Sequence, residues 1–416
     1  MKYQIKWRLL MVVCVALLLL GMASAVGTES ELGYTPLSEL IPKGAKTVTF
    51  RDISISAYMN NNHEDIQNAD GSFAIADLAE IDFISIWCYK PIDLSEMQLF
   101  PRLGGLCIYD SPEVTGVMAL AQCKKLDYLS FSNITQMNVE ELTQAVPKTL
   151  SVSFTQCGDL DYAAIAGWKK LSSVDLQGNA IRDLSYLAKI PALEDLMISD
   201  APNADLASCQ DLSTLTSLRA YDNVLPQNPL LWQLIANNPK LGGITLGMEY
   251  NSETYDFDGA AFQNLKKLTD LDVSGAIIQD LGFLKNCPNL TTLAFEKCTF
   301  VSPDMDSLKG LKKLSELALC NVGLTDVSFV KGMKLSLLWL PDNDITDISP
   351  LMGAKQIGKL SLYGNDVEDW APLTKIKGLK KLFYSGSKEL PKLKNVEVER
   401  DSGSWMFETI DWDNLF

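Results

Sequence analysis

Aliphatic residues recur along this chain with a period of about 22 residues. The pattern L-x-x-L-x-L-x-x-N fits the sequence with starts at 81, 103, 126, 149, 171, 193, 215, 241, 268, 290, 314, 335, 357 and 379. The fourth position is aliphatic in every unit, from Ile84 to Leu382, and the sixth position is apolar throughout. A fixed period of this length indicates a repeat array, in which each unit is one structural element.

Each unit predicts one short β-strand. An L-x-L segment has one apolar face and is too short to be stable alone. Stacking the units would pair each strand with its neighbours in a parallel sheet and bury the aliphatic columns in one continuous core. The third, fifth, seventh and eighth positions would then point away from that core, because successive side chains of a strand alternate between faces.

Two further columns are polar. The ninth position of several units holds a short side chain that can bond the backbone of the turn, which predicts a structural ladder of Cys157, Asn179, Asn223, Cys298, Asn343 and Asn365. A second column places an aspartate before an apolar residue, at Asp183, Asp280, Asp326, Asp347 and Asp369. We interpret these aspartates as backbone caps rather than metal ligands, because capping explains each of them by its position.

Five units carry the whole pattern, and one reads L-x-x-L-x-L-x-x-N-x-I-x-D-I-x-P-L over 335–351. This pattern resembles the bacterial internalin-like leucine-rich repeat proteins, over about residues 81–401. The resemblance implies an α/β fold, a right-handed horseshoe solenoid with a parallel sheet on the concave face and short 3-10 or α segments on the convex face. The longer units near 225–267 depart from the pattern, so the repeat boundaries there stay open.

The flanking segments differ from the repeats. Residues 1–25 combine basic residues, an apolar run from Leu9 to Gly21 and the triplet Ala23-Ser24-Ala25, which predicts a secretory signal peptide cleaved after Ala25; an uncleaved anchor is the alternative. Residues 26–80 predict an N-terminal cap region, 81–401 a domain of about 14 repeats, and 402–416 a C-terminal cap or a partner-binding tail. The mature protein is therefore expected to be secreted or extracytoplasmic, with no membrane span.

Charge and composition exclude several functions. The chain has 52 acidic and 36 basic residues, a net charge of −16, which disfavours nucleic acid as a partner. His63 is the single histidine, so multi-histidine metal cages are excluded, and we expect no cofactor and no metal. An open sheet has no pocket that would exclude water from a catalytic carboxyl, so we expect no enzyme activity.

The eight cysteines after residue 25 are scattered without a C-x-x-C pair, and we interpret most of them as free thiols.

The positions expected to point outward on the concave face are rich in aromatic residues. The predicted partner-binding residues are Trp87, Tyr109, Tyr128, Arg219, Tyr221, Leu337, Trp339, Lys359, Tyr363, Lys381 and Phe383. Within this set, Leu337, Trp339, Tyr363 and Phe383, together with Pro341, are expected to form one exposed apolar patch beside the two lysines.

Exposed aromatics on a rigid sheet are typical of an interface core. The sequence therefore predicts an exported module that binds a protein partner on a cell surface or in the envelope, or mediates adhesion. The alternative is binding of a glycan or cell-wall polymer, for which Trp87, Tyr109 and Tyr128 near Asp110 are the candidates.

Overall fold

The computed structural model describes residues 33–199, 201, 204–221, 227–247, 254–386 and 388–400. The predicted signal peptide over 1–25, the predicted ladder residue Asn223 and the predicted C-terminal segment over 402–416 lie outside the described residues. The chain divides into two compact units, residues 1–193 and residues 194–416.

The described parts of the chain contain short strands, short α-helices and many 3-10 turns. The strands of the first unit are β1 (Thr47–Val48), β2 (Phe73–Ala74), β3 (Phe83–Trp87), β4 (Ile92–Asp93), β5 (Gly105–Tyr109), β6 (Glu113–Thr115), β7 (Tyr128–Ser132), β8 (Gln136–Met137), β9 (Ser151–Thr155) and β10 (Ser173–Asp175). Those of the second unit are β11 (Asp195–Met197), β12 (Ser217–Tyr221), β13 (Gly243–Gly247), β14 (Tyr255–Asp256), β15 (Asp270–Ser274), β16 (Ala276–Ile278), β17 (Thr292–Glu296), β18 (Thr299–Phe300), β19 (Glu316–Cys320), β20 (Lys334–Trp339), β21 (Gln356–Ser361), β22 (Lys381–Tyr384) and β23 (Glu397–Arg400).

The helices are short, with at most ten residues among those described. The α-helices are α1 (Leu37–Leu40), α2 (Ile53–Asn62), α3 (Ile75–Leu78), α4 (Val139–Ala145) and α5 (Pro229–Asn237). The 3-10 helices are Glu64–Ile66, Leu94–Leu99, Val117–Gln122, Tyr162–Gly167, Leu187–Lys189, Leu206–Cys209, Gly259–Phe262, Gly282–Asn286, Met305–Gly310, Ser328–Val330, Ser349–Gly353 and Ala371–Lys375. None of the helices in the described ranges is long and apolar enough to span a bilayer.

In the first unit, β3, β5, β7, β9 and β10 lie side by side in one parallel sheet, with β3 as its terminal strand. A smaller sheet pairs β4, β6 and β8. The register aligns the fourth position of each repeat, because Ile84 pairs with Leu106 and Leu106 pairs with Leu129. Val152 and Val174 continue the same column. The sheet therefore has the parallel repeat geometry that the hydrophobic period predicts.

The second unit repeats this arrangement. The strands β11, β12, β13, β15, β17 and β19 to β23 form a parallel sheet in that order, and β14, β16 and β18 form a smaller one. The fourth positions again pair in sequence, for example Leu338 with Leu360 and Leu360 with Leu382. All fourteen predicted fourth-position residues are buried. This is the leucine-rich repeat solenoid fold, as the sequence predicts.

The predicted aspartate column caps the segments that lead away from the sheets. Asp183, Asp280, Asp326, Asp347 and Asp369 each accept a hydrogen bond from the backbone N–H two residues further on. These bonds hold the chain where a turn begins and satisfy N–H groups that would otherwise lack a partner. The aspartates therefore have a structural role that requires no metal.

Asparagine side chains bridge successive repeats from the inside. Asn179 is buried and donates through Nδ2 to the carbonyls of Phe154 (2.6 Å) and Leu176 (2.8 Å). Its Oδ1 accepts from the backbone N–H of Cys157 at 2.8 Å and from the Tyr162 hydroxyl at 3.0 Å. Asn343 and Asn365 make equivalent contacts in the second unit. The thiols of Cys157 and Cys298 each donate to a carbonyl of the preceding repeat at 3.3 Å.

The described part of the predicted cap region, residues 33–80, holds α1 to α3 and the antiparallel pair β1 and β2. Asp52 caps α2 by accepting from the backbone N–H groups of Ser54 (2.8 Å) and Ile55 (3.1 Å). The buried carboxylate of Glu96, in the first repeat, accepts from the backbone N–H groups of Arg51 (2.7 Å) and Asp52. These bonds attach the segment to the first coil.

Candidate ligand-binding surface

The sheet of the first unit carries a group of exposed aromatic side chains on the face opposite the aliphatic core. Along β3 the burial alternates, with Ile84 and Ile86 buried and Phe83 and Trp87 exposed by 49% and 60%. Tyr109 on β5 is partly buried, and Tyr128 on β7 is exposed. We call Phe83, Trp87, Tyr109 and Tyr128 the aromatic face. It occupies three adjacent strands at the end of the sheet, where β3 is the terminal strand among the residues that the structure describes.

Trp87 and Tyr109 form a stacked pair. They occupy the seventh position of consecutive repeats and are direct partners in the β3–β5 register. Their ring centroids are 4.5 Å apart, with an angle of 20° between the ring planes. Cross-strand aromatic pairs stabilise a sheet, and here the pairing also fixes two large rings in one orientation at the surface.

Phe83 and Tyr128 form a second pair, which a glycine makes possible. Gly105 lies between them, as the register partner of Phe83 on one side and of Tyr128 on the other. A Cβ atom at Gly105 would come within 2.6 Å of the Phe83 ring. Because glycine has no Cβ, the Phe83 ring lies over this position, with its centroid 6.5 Å from that of Tyr128. Phe83 was missed in the sequence analysis, although its third position is outward by the register.

The turns beside the aromatic face adopt an unusual backbone conformation. Tyr89, Asp110 and Asn133 all have positive φ values, between 54° and 57°. Tyr89, two residues after the end of β3, is exposed. The Asn133 side-chain amide donates to the Asp110 carboxylate at 2.8 Å, so this polar pair borders the rings. Burial raises the pKa of the Tyr109 and Tyr128 hydroxyls, so both are protonated donors at neutral pH.

The predicted exposure of the apolar patch around Trp339 is wrong. Trp339 and Phe383 are only 3% and 8% exposed and form a buried cluster with Ala294 and Ala318. Their rings meet edge to face, with centroids 4.9 Å apart. Pro341 is buried, and Leu337 and Tyr363 are partly buried. These side chains do lie on the face opposite the aliphatic core, as the repeat register predicts. A side chain on that face can nevertheless be buried by its neighbours, and the prediction did not allow for this.

The physical reason is the size of the neighbouring side chains. Trp339 occupies the fifth position of its repeat, and its direct register partners are Ala318 on one side and Ser361 on the other. These small side chains leave room for the indole to pack along the sheet, and Phe383 follows next to Ser361. The Lys381 ammonium lies 4.8 Å from the centroid of the Phe383 ring and pairs with Glu397 and Glu399. Lys359 is exposed.

Arg219 and Tyr221 are held by acids within the second unit. Arg219 forms an ion pair with Asp195 at 3.0 Å, and the Tyr221 hydroxyl donates to Asp272 at 3.4 Å. Burial and the nearby charge of Glu296 raise the pKa of Asp272 to about 7. These groups form a partly buried polar network. Across the ranges that the structure covers, no three histidine, cysteine or acidic side chains are grouped so as to hold a metal ion.

No family model matches this chain, and no curated protein matches its sequence. Solved structures do resemble it. An internalin from Listeria monocytogenes, InlF, is 19% identical, and the match covers 88% of this chain and 93% of that chain with a TM-score of 0.50. A leucine-rich repeat protein of Leptospira interrogans is 18% identical over 68% of this chain and 74% of that one, with a TM-score of 0.47. The likeness to InlF agrees with the predicted resemblance to internalins and shows the leucine-rich repeat fold.

Proposed function

We propose that this protein is an exported binding module that holds a protein partner through the aromatic face, on a cell surface or in the envelope. The observation that carries this proposal is the exposure of Trp87 on a rigid sheet, in a fixed stack with Tyr109 and beside Phe83 and Tyr128. Repeat solenoids present such extended surfaces to macromolecules, and function depends on the side chains placed on them.

The energetics of the aromatic face favour recognition. Large aromatic side chains supply most of the binding free energy in protein interfaces when they are placed centrally and become fully desolvated. The rings are held by stacking and by the sheet, so that little conformational entropy is lost when a partner orders them. The hydroxyls of Tyr109 and Tyr128 add directional donors at the same place.

Export rests on the sequence of residues 1–25, which has the basic, apolar and small-residue regions of a signal peptide. The predicted mature chain begins at Val26. N-terminal sequencing of the exported protein should find this residue, and an intact Met1 chain in the membrane fraction would contradict cleavage. Adhesion follows as the role of a surface module if its partner lies on another cell.

The chemical class of the partner can be tested on intact target cells. We expect the purified mature protein to bind cells, and a protease that trims their surface proteins to abolish the part of the binding that Trp87→Ala removes. Mild periodate oxidation of surface glycans should leave that part unchanged. The variant Trp87→Ala is also tested on untreated cells. Weaker binding than wild type would show that this protein contacts the cells through the aromatic face. Loss after periodate treatment but not after protease treatment would replace the protein partner with a glycan.

A further inference from the structure

A basic groove lies on the first unit, away from the core. It has a volume of about 560 Å³ and is lined by five cationic side chains, Arg102, Lys124, Lys125, Lys148 and Lys170. Two carboxylates, of Asp82 and Asp127, also line it. A local excess of positive charge is unexpected in a chain with a net charge of −16.

The repeat register produces this groove. Arg102, Lys125, Lys148 and Lys170 each come directly before the first position of a repeat, in four consecutive units. Neighbouring strands of a sheet lie about 4.8 Å apart, so one residue per repeat generates a straight row of cations with that spacing. The row is therefore a linear array of positive charge that runs across the strands.

These charges are mostly unpaired. Arg102 pairs with Glu80 at 2.6 Å, and the Lys124 ammonium donates to the carbonyl of Ala121. Lys125, Lys148 and Lys170 are exposed, and no carboxylate of the described residues lies within ion-pair distance of them. Like charges at equivalent positions of neighbouring repeats repel one another, so the row does not stabilise the fold. A row of lysines that destabilises the fold has no structural explanation, so we looked for a ligand that it could bind.

The other groups in the groove narrow the chemistry of that ligand. Leu150 is 42% exposed and gives the groove an apolar wall, against which the C–H face of a sugar ring can pack. The carboxylates of Asp82 and Asp127 can accept hydrogen bonds from hydroxyl groups. A nucleic acid strand carries a phosphate at every residue and would bring negative charge against these two carboxylates. A polysaccharide whose anionic groups alternate with hydroxyls can instead place hydroxyl donors against both carboxylates.

We propose that the basic groove binds an acidic polysaccharide, a linear chain of sugar rings that carry carboxylate or sulfate groups. The anionic groups lie along the row of Lys125, Lys148 and Lys170, and the hydroxyls between them bond to Asp82 and Asp127. The groove shares no lining residue with the aromatic face, although Asp82 and Asp127 directly precede Phe83 and Tyr128 in the sequence. Binding is electrostatic in part and weakens with added salt.

The test uses the full mature protein and defined polymers. Polygalacturonate supplies carboxylates, dextran sulfate supplies sulfates, neutral dextran is the uncharged control, and polyadenylate is the nucleic acid. The triple variant Lys125→Gln, Lys148→Gln, Lys170→Gln removes the row. The matched control Lys189→Gln, Lys331→Gln, Lys375→Gln removes the same charge at exposed lysines that do not line the groove. Thermal unfolding checks that both variants fold as the wild type does.

We expect wild type to bind at least one acidic polymer at physiological salt and to show no detectable binding to neutral dextran. The groove variant should bind about tenfold more weakly, as the loss of three exposed charge contacts implies, and the control should bind as wild type does. The double variant Trp87→Ala, Tyr109→Ala should keep polymer binding, which separates this site from the aromatic face. An equal loss in both lysine variants, or tighter binding of polyadenylate than of either acidic polymer, would overturn the proposal. So would the absence of binding by wild type.

Discussion

Trp87 stacks on Tyr109 across two adjacent strands, with ring centroids 4.5 Å apart, and yet 60% of the tryptophan remains accessible to solvent. The same residue type at Trp339 is only 3% exposed. The two tryptophans both point away from the aliphatic core, so what separates them is the side chains beside them. Trp87 is on the terminal strand of its sheet, whereas Trp339 lies between Ala318 and Ser361.

This difference predicts opposite effects of truncation on stability. Trp339→Ala should lower the free energy of unfolding by about 3–5 kcal/mol, because it empties a packed cluster. Trp87→Ala removes a largely exposed ring and its stack on Tyr109, so it should lower the free energy of unfolding by only about 1 kcal/mol or less. Urea unfolding of the two variants measures both values. Similar small effects for both would show that Trp339 does not pack as the structure describes.

A second prediction concerns the asparagine ladder. Asn179→Ala should lower the free energy of unfolding by about 3 kcal/mol, because it leaves the buried Cys157 N–H and the Phe154 carbonyl without their hydrogen-bond partner. Asp347→Ala is the matched control, since this exposed cap also accepts a backbone N–H, that of Ser349, at 2.7 Å. Its loss should be clearly smaller, because water replaces the missing acceptor. A thermal shift that is larger for Asp347→Ala than for Asn179→Ala would contradict this ranking.

The pattern of aliphatic residues was sufficient for the fold. Strand pairing aligns the fourth positions of successive repeats, and stacking of the repeats buries these apolar side chains in one core. Columns such as Leu338, Leu360 and Leu382 could therefore be assigned without coordinates. Exposure on the opposite face could not be assigned in this way. Exposure there depends on the side chains of the neighbouring repeats, such as the small residues Ala318 and Ser361 on either side of Trp339.

The two sites differ in what the sequence revealed. Trp87, Tyr109 and Tyr128 were predicted from their outward positions, and the structure places them together with Phe83, which the sequence analysis did not select. The lysines before each repeat are visible in the sequence. Whether these lysines have carboxylate partners depends on distances between side chains, and the sequence spacing does not give those distances.

The pH dependence of stability should carry a contribution from Asp272. Its pKa is raised to about 7 in the fold, by burial and by the charge of Glu296, from an ordinary value of 3.8. The folded state therefore holds this proton more tightly than the unfolded state does. The stabilisation is complete below pH 4 and is lost as the pH rises through 7.

The variant Asp272→Asn tests this contribution, because the amide oxygen can still accept from the Tyr221 hydroxyl. We expect the variant to be more stable than wild type at pH 8, with the difference shrinking as the pH falls towards 5. Thermal unfolding across this range provides the measurement. Parallel pH profiles for the two proteins would show that Asp272 titrates in its ordinary range.

The cysteines should be reduced and unreactive in the native protein. The eight cysteines between Cys88 and Cys320 are free thiols, and all but Cys320 are buried. Burial raises the pKa of the thiols, to about 12 for Cys123 and Cys287 and to about 11 for Cys157, so few thiolates form at neutral pH. Iodoacetamide should label native protein slowly and label eight thiols after denaturation without reductant. Fewer than eight would reveal disulfides.

The measurement that tests the central claim most directly is the affinity of aromatic-face variants for the cell-surface protein fraction. Wild type, Trp87→Ala, Tyr109→Ala and the control Val301→Ala, which truncates an exposed apolar residue in the other unit, are compared by biolayer interferometry on the immobilised fraction. A protease-treated sample serves as the blank. We expect each aromatic variant to lose about 2 kcal/mol, or about thirtyfold in Kd, with the control unchanged. Wild-type affinity in both aromatic variants would contradict the account.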